Sequence, residues 1–373
     1  MTEEEISAKK KYAGEKKVSM KRRDDRHDYT ERRMYMITLE VEGRRPVFGQ
    51  LAGDAFAPPG SADEPRVELT ALGKAVQSEW FGIHKHYPQI DVMAVQMMPD
   101  HMHGILYVKA QLPVHLGQVI SGFKAGCRKA ESALGAQTAA AKPLPTEKAG
   151  NATARNAAAG QAWEARLCQQ AAALPSQRVG RAYRPLFAKG YNDLILRSYD
   201  ELPVWQHYLH DNPRRLLMKR TRPEWLRPFF GLRIGSHTFS GIGNRALLAA
   251  PKRMSVRVSR RLNEQEVEAE VRRYLEEARQ GAVLVSPAIS PGEKRVMRAA
   301  FDAGYATIVI MENGFTPMSK PHGEQFYACA KGHLLMLSPW EHHNEKKTIT
   351  AEQCRQMNLM ALDICEQSKP ELQ

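Results

Sequence analysis

The stretch MPDHMHGILYV, Met98–Val108, joins a turn to an apolar run and sets two histidines one residue apart. Pro99-Asp100 carries the turn, and IDVMAVQM before it has the alternation and β-branched residues of a strand, so the segment reads as two strands joined at a tight corner. Residues two apart on a strand point to one face. His101 and His103 therefore project together, while Met102 turns the other way into apolar packing. Two neutral imidazoles converging from one strand make half of a site for a divalent cation. An isolated pair of this kind also arises by chance, and a second one in the chain shows how secondary structure decides. His84 and His86 in GIHKHYP have the same spacing but end a helical pattern, where two steps turn about 200° and the rings diverge.

Outward from the hairpin, MYMITLEVEG (34–43) reads as a strand. VELTALGKAVQSEWFGIHKHYP (67–88) reads as a helix stopped at Pro88, and HLGQVISGFKAGCRKAESAL (115–134) as an amphipathic helix with a basic side. Residues 133–173 contain 16 alanines and read as an insertion or linker. Beyond it lie a strand in RPLFAKGYNDLILRS (184–198) and a helix, YDELPVWQHYLHDNP (199–213), buried through Leu202, Trp205 and Leu209. Pro213 is expected to close that helix. On it Tyr208 and Asn212 stand four apart, so a phenol and an amide oxygen share one helical face. The alternative for Tyr208 is an ordinary half-buried tyrosine with its hydroxyl at the rim. After TRPEWLRPFFG (221–231), strands and helices alternate to the end of the chain, the pattern of a parallel α/β domain.

The 373 residues exceed what one core usually organises. Three parts are expected: a charged tail over 1–30, a first domain over 31–230 with the Ala-rich insertion at about 133–180, and a second over 235–373. No run approaches the ~18 apolar residues of a membrane helix, so no membrane partner is expected. The charged N-terminus lacks a secretion signal's apolar core. Cys127, Cys168, Cys329, Cys354 and Cys365 are scattered without CxxC spacing, which argues for a reducing cytoplasm and against a disulfide framework or structural zinc. The net charge of +13 favours a polyanionic partner, with a merely solvated basic surface as the alternative.

MPDHMHG, the FK-bearing helix LGQVISGFKAGCRK and the YxxxNP of YLHDNP, taken in order, resemble the HUH-type single-tyrosine transposases. The likeness is to the insertion sequence 200/605 and REP-associated tyrosine transposase types, over about Arg26–Pro213. The resemblance implies an α+β domain with an antiparallel sheet flanked by helices. His101, His103 and Asn212 would be ligands of a Mg²⁺ or Mn²⁺ ion and Tyr208 the nucleophile. The implied reaction cuts and rejoins single-stranded or hairpin DNA through a 5′-phosphotyrosine, in a monomer or a homodimer that exchanges the tyrosine helix. Asp100 stands where many relatives have asparagine, and the insertion between Leu134 and Tyr183 is a second departure. A replication-initiating or relaxase-like nickase and a DNA-binding regulator with an idle site are the rival functions. Lys124, Arg128 and Lys129 on the FK helix either contact phosphates or form a solvated face. Tyr191, the competing tyrosine, begins a strand, and with Asp193 and Arg197 it is expected to shape the DNA path or fix that strand.

In the C-terminal part, Ser290-Pro291-Gly292-Glu293 is a strong helix start, with a serine cap, a proline at the first position and a glutamate reaching back. Residues 241–340 resemble the Rossmann-like domain of DNA-processing protein A, with the glycine-rich signature largely replaced by SPAISPGE. That resemblance implies a nucleotide or single-stranded DNA near Ser286, Ser290 and Gly292. Glu312 and Asn313 fall at the carboxyl edge where such sheets bind ligands. A plain capped helix is the alternative, and a nucleotide-sensing protein led by this domain a further function.

Overall fold

The computed structural model describes residues 26–140, 185–345 and 347–366. Most of the expected tail, residues 141–184 of the Ala-rich insertion and Cys168 lie outside them. The described residues form two compact α/β units, one within Arg22–Leu51 and Val67–His210, the other within Ala52–Arg66 and Asp211–Gln373. No helix among them is long and apolar enough to cross a membrane.

The first unit is built on four antiparallel strands: β1 (Arg33–Glu40), β4 (Ile90–Met97), β5 (His101–Val108) and β6 (Asn192–Leu196), in the order β4-β5-β1-β6. Two further short strands, β2 (Gly49–Ala52) and β3 (Arg66–Leu69), pair with each other. Alternation sorts the main sheet into two faces. Tyr35, Ile37 and Leu39 of β1 and Met102, Leu106 and Val108 of β5 enter one core with α1 (Ala71–Phe81) and α3 (Leu116–Ala140), through Val76, Trp80, Leu116, Ile120 and Phe123. VEL at 67–69, read above as helix, is strand. Thr70 accepts from the Gly73 amide and so caps α1 only after it. The one-turn α2 (Ile83–His86) holds His84 and His86, both exposed. On the other sheet face Met34, Ile105 and Leu196 meet Leu202 and Leu209 of α4 (Leu202–Thr221), with Trp205 packed alongside.

Helix α4 does not end at Pro213 but runs through it. A proline removes one helical hydrogen bond, at a cost of ~3 kcal/mol in an isolated helix. Burial on both sides outweighs that loss: Leu209 is 2% exposed in one apolar cluster and Met218 1% in another.

The second unit holds six strands in the order β7-β8-β12-β11-β10-β9. These are β7 (Phe229–Ile234), β8 (His237–Gly243), β9 (Arg253–Ser255), β10 (Val283–Ser286), β11 (Thr307–Ile310) and β12 (Leu334–Ser338). The last four are parallel, and β8 and β7 extend them in antiparallel sense. The parallel strands follow one another in a single direction. Helices α5 (Glu264–Arg279), α6 (Pro291–Asp302) and α7 (Gly323–Ala330) pack on the face of Leu284, Leu334 and Met336. Helix α8 (Ala351–Glu366) covers Val283, Val285, Ile308 and Leu337 on the other.

In this unit Arg214 of α4 fastens residues 52–66. Its guanidinium donates to the Ala55 and Ala57 carbonyls (3.1 and 2.6 Å) and lies 3.5 Å from Asp211 and 3.7 Å from Glu64. Arg214→Ala strands these acceptors and is expected to cost ~2–3 kcal/mol, read as a lower urea midpoint. A midpoint equal to wild type would show the segment held by other contacts.

Candidate functional site

The face of β5 that meets α4 through Ile105 continues, two and four residues earlier, as His103 and His101. Register places Thr38 of β1 and Gln96 of β4 beside His103, and Glu40 beside His101. The sheet end beyond the apolar footprint of α4 is therefore polar.

Each imidazole has one nitrogen committed. His103 Nδ1 is 2.8 Å from Thr38 Oγ1, and His101 Nδ1 is 2.6 Å from Asp100 Oδ1. Neither Nε2 has a hydrogen-bond partner among the described residues. The rings lie 4.9 Å apart, nearly perpendicular. Burial, followed by the charges of His101 and Arg44, pushes the His103 pKa down to about 4, so this imidazole is neutral with a lone pair to give. Burial works against the Asp100 charge, yet the hydrogen bond with His101 and the nearby Arg44 hold that carboxyl below its ordinary range. Arg44 also pairs with Glu40 at 3.1 Å.

An imidazole whose Nδ1 is fixed by a neighbour and whose Nε2 is open is the arrangement that suits a metal ligand. The donor set fits a divalent ion in type. Among the described residues no three His, Cys, Asp or Glu side chains gather to hold one by themselves.

Tyr208 sits on α4, the helix that covers this same sheet face. Its ring packs edge-on against Trp205 at 5.7 Å and is 39% exposed. Gln206 ties the helix to β4 by donating to the Met93 carbonyl (3.2 Å). Asn212 lies one turn past Tyr208, in the stretch of α4 that belongs to the second unit.

The residues expected along a DNA path separate into different environments. Lys124, half-buried, donates to the Ala188 and Gly190 carbonyls (2.8 and 2.6 Å) and closes the loop before β6. Tyr191 is buried in the core and Asp193 accepts from the Tyr29 hydroxyl (2.8 Å), so both serve the strand. Arg128, Lys129 and Arg197 are exposed. With His115 and Lys189, Arg128 lines a groove of about 680 Å³ beside α3.

At the helix start where the second unit's anion site is expected, the residues form a capping box. Ser290 caps α6 by accepting from the Glu293 amide, and the buried Glu293 carboxylate accepts from the Ile289 and Ser290 amides. Ser286 donates to the Val256 carbonyl, and a Cβ on Gly292 would meet Val258 at 2.3 Å, so close packing explains that glycine. Asn313 exchanges two 2.9 Å hydrogen bonds with the His343 backbone, while Glu312 is exposed at the rim of a cavity of about 690 Å³.

No protein-family model matches the chain. An uncharacterized protein of Haemophilus influenzae is 24% identical over 120 residues, 27% of this chain and 61% of its own length, so the chain spans less than two thirds of that relative. The single-stranded DNA-binding DNA processing protein A of Helicobacter pylori aligns with a TM-score of 0.29 at 15% identity, over 38% of this chain and 67% of its own. A REP-associated tyrosine transposase bound to a REP hairpin aligns with a TM-score of 0.26 at 11% identity, over 50% of this chain and 70% of its own.

Proposed function

We propose that the chain cuts and rejoins single-stranded or hairpin DNA through a covalent bond to Tyr208. The observation that supports this reading is the imidazole pair with both Nδ1 atoms tied and both Nε2 atoms open, on the sheet face covered by the helix of Tyr208. The likeness of MPDHMHG, the FK helix and YxxxNP to the HUH transposases stands beside it.

His101 and His103 would hold a Mg²⁺ or Mn²⁺ ion, which when bound would polarise the scissile phosphate and offset its developing charge. The Tyr208 phenol attacks phosphorus and gives its proton to solvent. The bond to the 3′-oxygen breaks, that oxygen leaves as a protonated 3′-hydroxyl, and the 5′-phosphate stays on the tyrosine. Because the ester bond is conserved, a second 3′-hydroxyl attacks the same phosphorus and releases the phenol, rejoining DNA without an external energy source. Thr38 and Asp100 hold the imidazoles in position throughout.

The test is incubation with Mn²⁺ or Mg²⁺ and 5′- and 3′-labelled hairpin-flanked single strands, followed by a denaturing gel. A retarded protein–DNA band carrying the 3′ label is expected. Binding without any such band, across both metals, would leave the DNA-binding regulator in its place.

Thr38→Val keeps the shape of the side chain and frees His103 Nδ1. Loss of a ligand's supporting hydrogen bond typically costs 10–100-fold in metal affinity or activity, and adduct formation should fall by roughly that factor. A higher Mn²⁺ requirement at unchanged DNA affinity is the expected pattern. An unchanged metal requirement would remove Thr38 from the site.

A further inference from the structure

Five basic side chains line one cavity of the second unit, and the strand-cutting reading uses none of them. The cavity measures about 340 Å³ and is bordered by Arg215 and Lys219 of α4, Arg227, and Lys320 and His322 ahead of α7. Its floor includes Leu226 and Phe326, both buried. No lining residue is acidic. Carboxylates on the same elements are committed elsewhere, Asp211 to Arg214, Glu224 to Arg222 and Glu324 to Arg298. Among the described residues Arg215, Lys219, Arg227 and Lys320 form no ion pair.

Two of the cations are held in place before any ligand arrives. The Arg215 guanidinium lies 4.3 Å from the centre of the Phe326 ring and donates to the Tyr327 hydroxyl (3.0 Å), which is itself hydrogen-bonded to Asp211. The Lys219 ammonium sits 5.8 Å from the same ring. Burial, then the charges of Arg215 and Lys320, push the Lys219 pKa below its ordinary value, as happens where like charges gather without a counter-ion. Helix α7 starts at this rim with no side-chain cap, which adds partial positive charge of the same sign.

We infer that this cavity binds a phosphate group. Two guanidinium forks and two ammonium groups supply more donors than one planar carboxylate accepts, whereas a tetrahedral phosphate can use three or four at once. The phosphate belongs either to a small phosphorylated molecule or to a DNA backbone. The inference is independent of Tyr208.

Full-length protein is titrated with inorganic phosphate by calorimetry, and with fluorescein-labelled dT20 by anisotropy at several salt concentrations. The variants are Lys219→Gln with Lys320→Gln, and separately Arg227→Gln, whose exposed side chain leaves folding untouched. Arg260→Gln with Arg261→Gln removes equal charge from exposed positions outside the cavity. Affinity is expected to fall at least tenfold in the double cavity variant and severalfold in Arg227→Gln, with the outside pair near wild type. A fall for phosphate alone assigns a small phosphorylated ligand. A fall for dT20, with a salt slope smaller by ~1–2, assigns backbone phosphates. Identical titrations of wild type and both cavity variants with both probes would overturn the inference, as would an equal loss in the outside pair. Tyr208→Phe should bind both probes like wild type, which keeps this result separate from the fate of the cleavage reading.

Discussion

Tyr208→Phe should form no covalent DNA adduct, a loss of more than ~10³-fold, while melting within ~0.5 kcal/mol of wild type. The substitution deletes one oxygen atom. The ring remains, and with it the edge-on contact to Trp205 at 5.7 Å that seats it on α4. The hydroxyl makes no hydrogen bond among the described residues and the side chain is 39% exposed, so folding loses nothing with it. A hydroxyl is a weak nucleophile without an activated target, so the reaction depends on the neighbouring phosphate being activated. Tyr191→Phe gives the opposite pattern, because that ring is 4% exposed inside the core. It should keep the adduct at the wild-type yield. Adduct formation that survives Tyr208→Phe and vanishes in Tyr191→Phe would exchange their roles.

Periodicity made the sheet and helices around His101 and His103 legible, because alternation along β1 and β5 and the 202-205-209 stripe of α4 each follow from one buried face. Capping chemistry was equally local: the Ser290–Glu293 box forms from residues three apart. What stayed hidden depends on residues distant in sequence. Thr38 supports His103 across a strand pair that no short window displays, and its only local signal is a polar residue in an apolar strand. Lys124 read as a surface cation, yet the carbonyls it binds lie 64 and 66 residues away. Pro213 obeyed its local rule less than it obeyed the clusters on either side. Strands β7 and β8 and helix α7 are short, and their sheet partner β12 lies far along the chain, so no pattern marked them.

Gly104→Val should destabilise the first unit by ~3 kcal/mol or more, enough to lower its melting temperature by several degrees or prevent folding. Gly104 lies on β5 directly after His103, facing the α1 side. A Cβ there would sit 2.2 and 2.4 Å from two ring carbons of Trp80, far inside van der Waals contact. The indole cannot retreat. It is fully buried, stands edge-on to Phe123 at 5.1 Å and donates from Nε1 to the Ala94 carbonyl. The strand must move instead, and since His103 is the adjacent residue, the imidazole pair moves with it. Gly104→Ala poses the same clash with one carbon, so it should lose both stability and adduct formation, though less of each. Trp80→Leu placed on Gly104→Ala should recover part of the stability, because the new methyl then meets a space that a smaller side chain vacates. A double-mutant cycle measures this coupling, expected at ~1–2 kcal/mol in favour of the pair. Simple additivity would mean that the glycine is required for a reason other than the Trp80 ring, and the link from this close contact to the aim of His103 would fail with it.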